Sequence, residues 1–147
     1  ITDWFDEHKK PWKKKALGQG DYSFFVPENK DLNIDRDLYF DKEIMIERKR
    51  SLDELGANFA HGNNRTRLEE ELSTFKGKKY LLLENATYKD ICEKNYENKV
   101  SVKAFLGTLH QFNHRYNWEV TYMPNNQYSA PWIYGTCYYY LRNLLRT

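Results

Sequence analysis

Ile44-Met45-Ile46-Glu47-Arg48-Lys49, with Gly20-Asp21-Tyr22 ahead of it and Asp53 behind it, is the stretch on which the fold turns. Three apolar residues of strand type lead into three charged ones. Alternation along a strand sets Glu47 and Lys49 on one face and Arg48 on the other, so that a carboxylate and an ammonium group project side by side. Hydrolysis of a phosphodiester asks for hard oxygen ligands to Mg²⁺ or Mn²⁺, a positioned water, and positive charge facing the phosphorane-like transition state. Asp21, Glu47 and Lys49 supply that set, with Asp21 and Glu47 as the metal ligands.

A Gly-Asp-Tyr strand start followed by a hydrophobic strand ending in Glu-Arg-Lys-x-x-x-Asp resembles the nuclease domain of XPF-type structure-specific endonucleases, in the PD-(D/E)xK superfamily. The motif match covers residues 4–72, and the later order of elements is similar to that of stand-alone phage and bacterial members. The resemblance implies a restriction-endonuclease-like α/β fold and a Mg²⁺- or Mn²⁺-dependent endonuclease acting on branched, flapped or junction DNA. It also implies two copies pairing as a homodimer through their helical side. Such domains begin with a strand carrying an Asp-x-Arg-Glu-like motif, whereas this chain starts at or within the first helix. Removal, encoding upstream of Ile1 and natural absence all fit, and an incomplete chain lacking one acidic metal ligand is favoured.

Around this core the supporting residues leave alternatives open. Arg48 either acts at the site or pairs with a carboxylate such as Asp53, tying strand to helix. Asp53 resembles the family's downstream Asp, and a helix-capping role explains it almost as well. Arg65 and Arg67, after Asn63 and Asn64, resemble the family's basic turn and would contact the DNA backbone, giving orientation without base reading; a solvated helix start is the alternative. Glu84 closes an apolar strand and is a candidate supporting acid near the site.

Composition bounds the reading without deciding it. A chain of 147 residues makes one domain, 1–147, able to bury roughly two-thirds of its unfolded surface. The formal net charge of +2 does not mark a nucleic-acid binder, so local clusters must. Lys9, Lys10, Lys13, Lys14 and Lys15 surround Pro11, and Arg48, Lys49 and Arg50 stand with Arg65 and Arg67. Asp31, Asp35, Asp37 and Asp41 lie between the two. Cys92 and Cys137 imply neither a disulfide framework nor a zinc site. No apolar run approaches a membrane span or signal peptide, so the expectation is a cytoplasmic protein, in a bacterial host cell if phage-encoded.

Periodicity supplies the element order. Residues 1–10 carry Ile1, Trp4, Phe5 and His8 at helical spacing, stopped by Pro11. Residues 21–26 read as a strand, 27–37 as a polar connection, and 38–49 as the strand bearing the motif. Ser51 and Glu54 fit a capping box for a helix over 52–60. A break at 61–64 precedes a helix over 66–75, a strand over 78–84, helices near Asp90 and over 101–115, a strand over 118–122, and a helix opened by Pro131. That last helix carries Ile133, Cys137, Tyr140, Leu141 and Leu144 on one stripe.

His110 and His114 at helical spacing lack a third ligand and read as surface histidines. Two other readings stand beside the nuclease: a catalytically silent DNA-binding or interaction domain of the same fold, and a scaffold using its Tyr-rich last helix. The intact Asp21, Glu47 and Lys49 set argues against both.

Overall fold

Two runs of fully buried apolar residues, Ile44-Met45-Ile46 and Leu81-Leu82-Leu83, dictate a sheet covered on both faces, because consecutive side chains of a strand point opposite ways and all of them must be buried. Across residues 1–146, which the computed structural model describes, the elements run α1 (Thr2–Glu7), β1 (Phe25–Val26), β2 (Leu38–Tyr39), β3 (Ile44–Lys49), α2 (Leu52–Phe59), α3 (Asn63–Thr74), β4 (Lys78–Glu84), α4 (Tyr88–Cys92), α5 (Val102–Tyr116), β5 (Glu119–Met123) and α6 (Ser129–Arg146). The central sheet has the order β3-β4-β5 and is parallel throughout, with Ile44 opposite Lys78 and Tyr80 opposite Glu119. β1 and β2 form a separate antiparallel pair. The result is a mixed α/β fold compatible with the restriction-endonuclease-like core.

The alternation of β3 and β4 divides the interior in two. Met45, Leu81 and Leu83 face a large core with Leu55 and Phe59 of α2, Leu68 and Leu72 of α3, and Phe105, Leu109 and Phe112 of α5. Ile46 and Leu82 face the other way, onto Ile133 and Cys137 of α6, with Phe5 of α1 packed at the edge. Each fully buried Leu or Ile contributes about 1.5–3 kcal/mol against exposure. Among the described residues no helix is long and apolar enough to cross a membrane.

Several elements depart from the periodicity reading. The strand expected over 38–49 is interrupted, because the Phe40 carbonyl accepts the Glu43 and Ile44 N–H groups and closes a turn between β2 and β3. The strand expected over 21–26 reduces to β1 and a single bridge in which Tyr22 exchanges backbone hydrogen bonds with Ile46. α3 begins at Asn63, so Arg65 and Arg67 lie within a helix rather than in a basic turn; the break is confined to Ala60, which is extended, and to His61 and Gly62, the last at φ 139°. At the start of α2 the Ser51 hydroxyl accepts the Glu54 N–H as expected, but the Glu54 carboxylate takes the Arg50 N–H, so the box is only half closed.

Candidate active site

Glu47 and Lys49 leave the C-terminal end of β3 on the face covered by α2 and α3, and both are buried to within 8 % of full enclosure. Their charged groups stand 3.4 Å apart. Lys49 Nζ also donates to Asn58 Oδ1 of α2 at 3.3 Å. Asp21 reaches the same place from the chain running antiparallel along the free edge of β3. Its N–H donates to Ile46 O at 2.9 Å, and its carboxylate accepts the Arg48 N–H at 2.8 Å. That edge amide, which no strand pairs, is thereby satisfied, and Asp21 is held beside Glu47.

Gly20 makes the approach possible through its backbone. Its φ is 78°, and a Cβ there would lie 2.9 Å from the Met45 Cβ, so the turn before Asp21 sits directly on β3. The Gly20 N–H is received at 2.6 Å by the carboxylate of Glu71 on α3. Glu71 is a site residue that sequence reading missed. Its signal was the polar stripe Arg67, Glu71, Thr74 on α3, opposite the buried Leu68 and Leu72. These side chains, with Gln19 and Asp21, line a cleft of about 560 Å³ that has Glu47 in its wall. A second cleft joins Asp21 and Glu47 to Lys49, Arg50 and Glu54.

Burial first, then repulsion from Asp21 and from Glu71, pushes the Glu47 carboxyl up to about 8; the nearby Lys49 only partly offsets this. Three carboxyl groups thus crowd one point. Among the described residues no group of three or more His, Cys, Asp or Glu side chains is placed to hold a metal ion as it stands. The donors are nonetheless hard carboxylate oxygens, and a divalent cation between them would remove the repulsion that now opposes ionisation of Glu47.

The remaining expected site residues are placed elsewhere. Arg48 and Glu84 lie on the opposite face of the sheet, as a period of two requires. Arg48 Nε donates to Glu84 at 2.8 Å and Nη1 to the Tyr22 hydroxyl at 3.3 Å. Glu84, 1 % exposed, also accepts the Ser129 hydroxyl at the start of α6. Glu84 therefore supports α6 and not the cleft. Asp53 pairs with neither Arg48 nor the site: its carboxylate accepts the Glu97 and Asn98 N–H groups at 2.8 and 2.7 Å, clamping α2 to the segment before α5. Arg65 is turned inward, donating to Phe59 O at 3.1 Å and pairing with Glu69 at 3.5 Å, whereas Arg67 is exposed at the cleft. His110 is engaged by the Tyr88 hydroxyl at 2.9 Å.

Comparison with known protein families matches residues 1–136 of the 147 to the ERCC4 domain. No curated protein and no solved structure matches the chain.

Proposed function

This chain belongs to the ERCC4 domain family, and from that membership we propose that it is a divalent-metal-dependent endodeoxyribonuclease cutting branched, flapped or junction DNA. Nuclease action on structured DNA is the family's general activity. The observation that carries the finer reading is the buried Glu47 carboxyl, crowded by Asp21 and Glu71 and 3.4 Å from the Lys49 ammonium, in the wall of an open cleft. Asp21 and Glu47 would hold Mg²⁺ or Mn²⁺, with Glu71 facing them, and the ion supplies Lewis acidity and lowers the pKa of bound water.

The chain's own groups account for the rest. Lys49 offers positive charge to the phosphate oxygens, which gain negative charge as water attacks phosphorus and the bond to the leaving nucleotide oxygen breaks, the water's proton passing to solvent or to that leaving oxygen. Asn58 holds that ammonium in place, and the Asp21–Arg48 backbone contact fixes the second carboxylate. Arg67, exposed at the cleft rim, receives a phosphate of the incoming strand. Incubation with flap, fork and linear DNA, with and without Mg²⁺ or Mn²⁺, tests the proposal. Metal-dependent nicking of flap or fork DNA is expected, and equal cutting of linear duplex, or cutting in chelator, would overturn it.

Replacing Arg67 with Ala is expected to weaken binding alike for all sequences and to reduce the salt slope by about 0.9 on duplex DNA, the share of one phosphate contact. A slope equal to that of the parent protein would remove Arg67 from the interface. Pairing of two copies through α6 is proposed as well, since the stripe is covered at Ile133 and Cys137 while the same helix, off that stripe, carries Tyr139 and Leu145 at 59 % and 77 % exposure. Light scattering should find a dimer that Leu145→Glu converts to a folded monomer; a parent protein already monomeric at micromolar concentration would end this part of the proposal.

A further inference from the structure

Asp21 borders a third cavity, of about 290 Å³, that does not belong to the cleft around Glu47. One wall is the extended segment Trp12-Lys13-Lys14-Lys15, and the facing wall is Phe25 of β1 with Tyr39 of β2. We propose that this cavity is a subsite for unpaired DNA, in which Trp12 stacks on one base of the strand entering the active site while Lys14 and Lys15 meet its phosphates. The inference rests on the nuclease reading for its location, and adds to it a strand, a register and three residues.

The chemistry of the lining favours a single strand. Trp12 is 47 % exposed, and its indole N–H is anchored to Asp6 Oδ1 at 2.8 Å, so the ring is held by one edge. No aromatic ring of the described residues stacks on it, which leaves a face open to a base. Lys13 is already committed, donating to Asp37 and to the Tyr39 hydroxyl, each at 2.7 Å. Lys15 lies 3.6 Å above the Tyr39 ring and has no carboxylate partner, and Lys14 has no ion pair, hydrogen bond or ring contact among the described residues. The acids on the lining are Asp21, which also lines the cleft around Glu47, and Asp41.

Two ammonium groups with no carboxylate partner among the described residues, beside an unstacked indole, are the pairing by which single strands are held, with charge tracking the backbone and a ring taking the base. A cavity of this size sits at the small end of ligand pockets and has room for one nucleotide unit, not for a duplex. A duplex also keeps its bases stacked inside. Because Asp21 is shared, a strand seated here continues directly into the cleft that contains Glu47.

Fluorescence anisotropy in chelator, where no cleavage interferes, tests the subsite with a labelled oligothymidylate of roughly 4–16 nucleotides and a blunt duplex of equal length. Trp12→Ala is expected to weaken single-strand binding about five- to a hundredfold and leave the duplex unaffected, with Trp12→Phe retaining most of the affinity. The double variant Lys14→Ala, Lys15→Ala should lower the single-strand salt slope by about 0.7 per lost contact. Single-strand affinity unchanged in Trp12→Ala, or duplex affinity falling in parallel, overturns the subsite. Glu47→Gln separates the two readings: it should bind the oligothymidylate as the parent does, and if it still cleaves DNA the catalytic assignment fails while the subsite stands.

Discussion

Glu47→Gln is expected to abolish cleavage, by at least the roughly 10²–10³-fold that removal of one transition-state contact costs, while the melting temperature holds or rises. Both halves come from one geometry. The side chain loses the charged oxygen that the proposed metal site would use, yet in the resting protein that charge is unwelcome: it is buried, and the repulsion from Asp21 and from Glu71 each outweighs the attraction of Lys49. Gln keeps the shape and removes the conflict. Lys49 loses one partner but keeps Asn58 at 3.3 Å. Cleavage of a flap substrate and thermal unfolding, measured on one preparation, check this; a drop of several degrees, or residual activity near that of the parent, would return Glu47 to a structural role.

The reverse signature is expected for Glu84→Ala, the largest loss of stability foreseen from a charged position. Burial opposes the Arg48 charge, but the hydrogen bonds to Glu84 and Tyr22 outweigh it and hold its pKa above the ordinary value. Removing Glu84 strands the guanidinium with one phenol and frees the Ser129 hydroxyl at the base of α6. Breaking a buried pair from one side costs roughly 3–5 kcal/mol, and a domain of this length shifts by about 2–4 °C per kcal/mol. The melting temperature should therefore fall by about 6–20 °C, with cleavage per folded molecule retained at low temperature. A stable but inactive protein would place Glu84 in the chemistry instead.

Most of the scaffold was legible wherever local chemistry decided it. The strand expected over 78–84 is β4 as found, and the helix expected over 101–115 is α5 at Val102–Tyr116, because an apolar run and a helical stripe act over a few residues. The side-by-side projection of Glu47 and Lys49 followed from strand alternation alone, and so did the opposite placement of Arg48. What sequence left hidden depends on contacts between distant segments. Glu71 reaches Gly20 across 51 positions, and Asp53 reaches Asn98 across 45. Neither separation leaves a periodic trace. Glu84, a candidate supporting acid near the site, instead holds Arg48 and Ser129, and Ser129 arrives only when α6 folds back over the sheet.

The crowding of three carboxyl groups at the end of β3 has a consequence for how copies of such a domain diverge. Under the proposed catalytic role of Glu47, stability and catalysis make opposite demands there, so a gene copy released from selection for cutting is expected to meet no folding barrier when that carboxylate is lost. The first step toward a silent descendant would then cost no stability, whereas the clamp at Asp53 and the pair at Glu84 stay under selection in any descendant that must remain folded. Inactive relatives of this domain should therefore be durable proteins, free to keep the cleft, and with it the subsite proposed at Trp12, after the proposed cutting centre has gone.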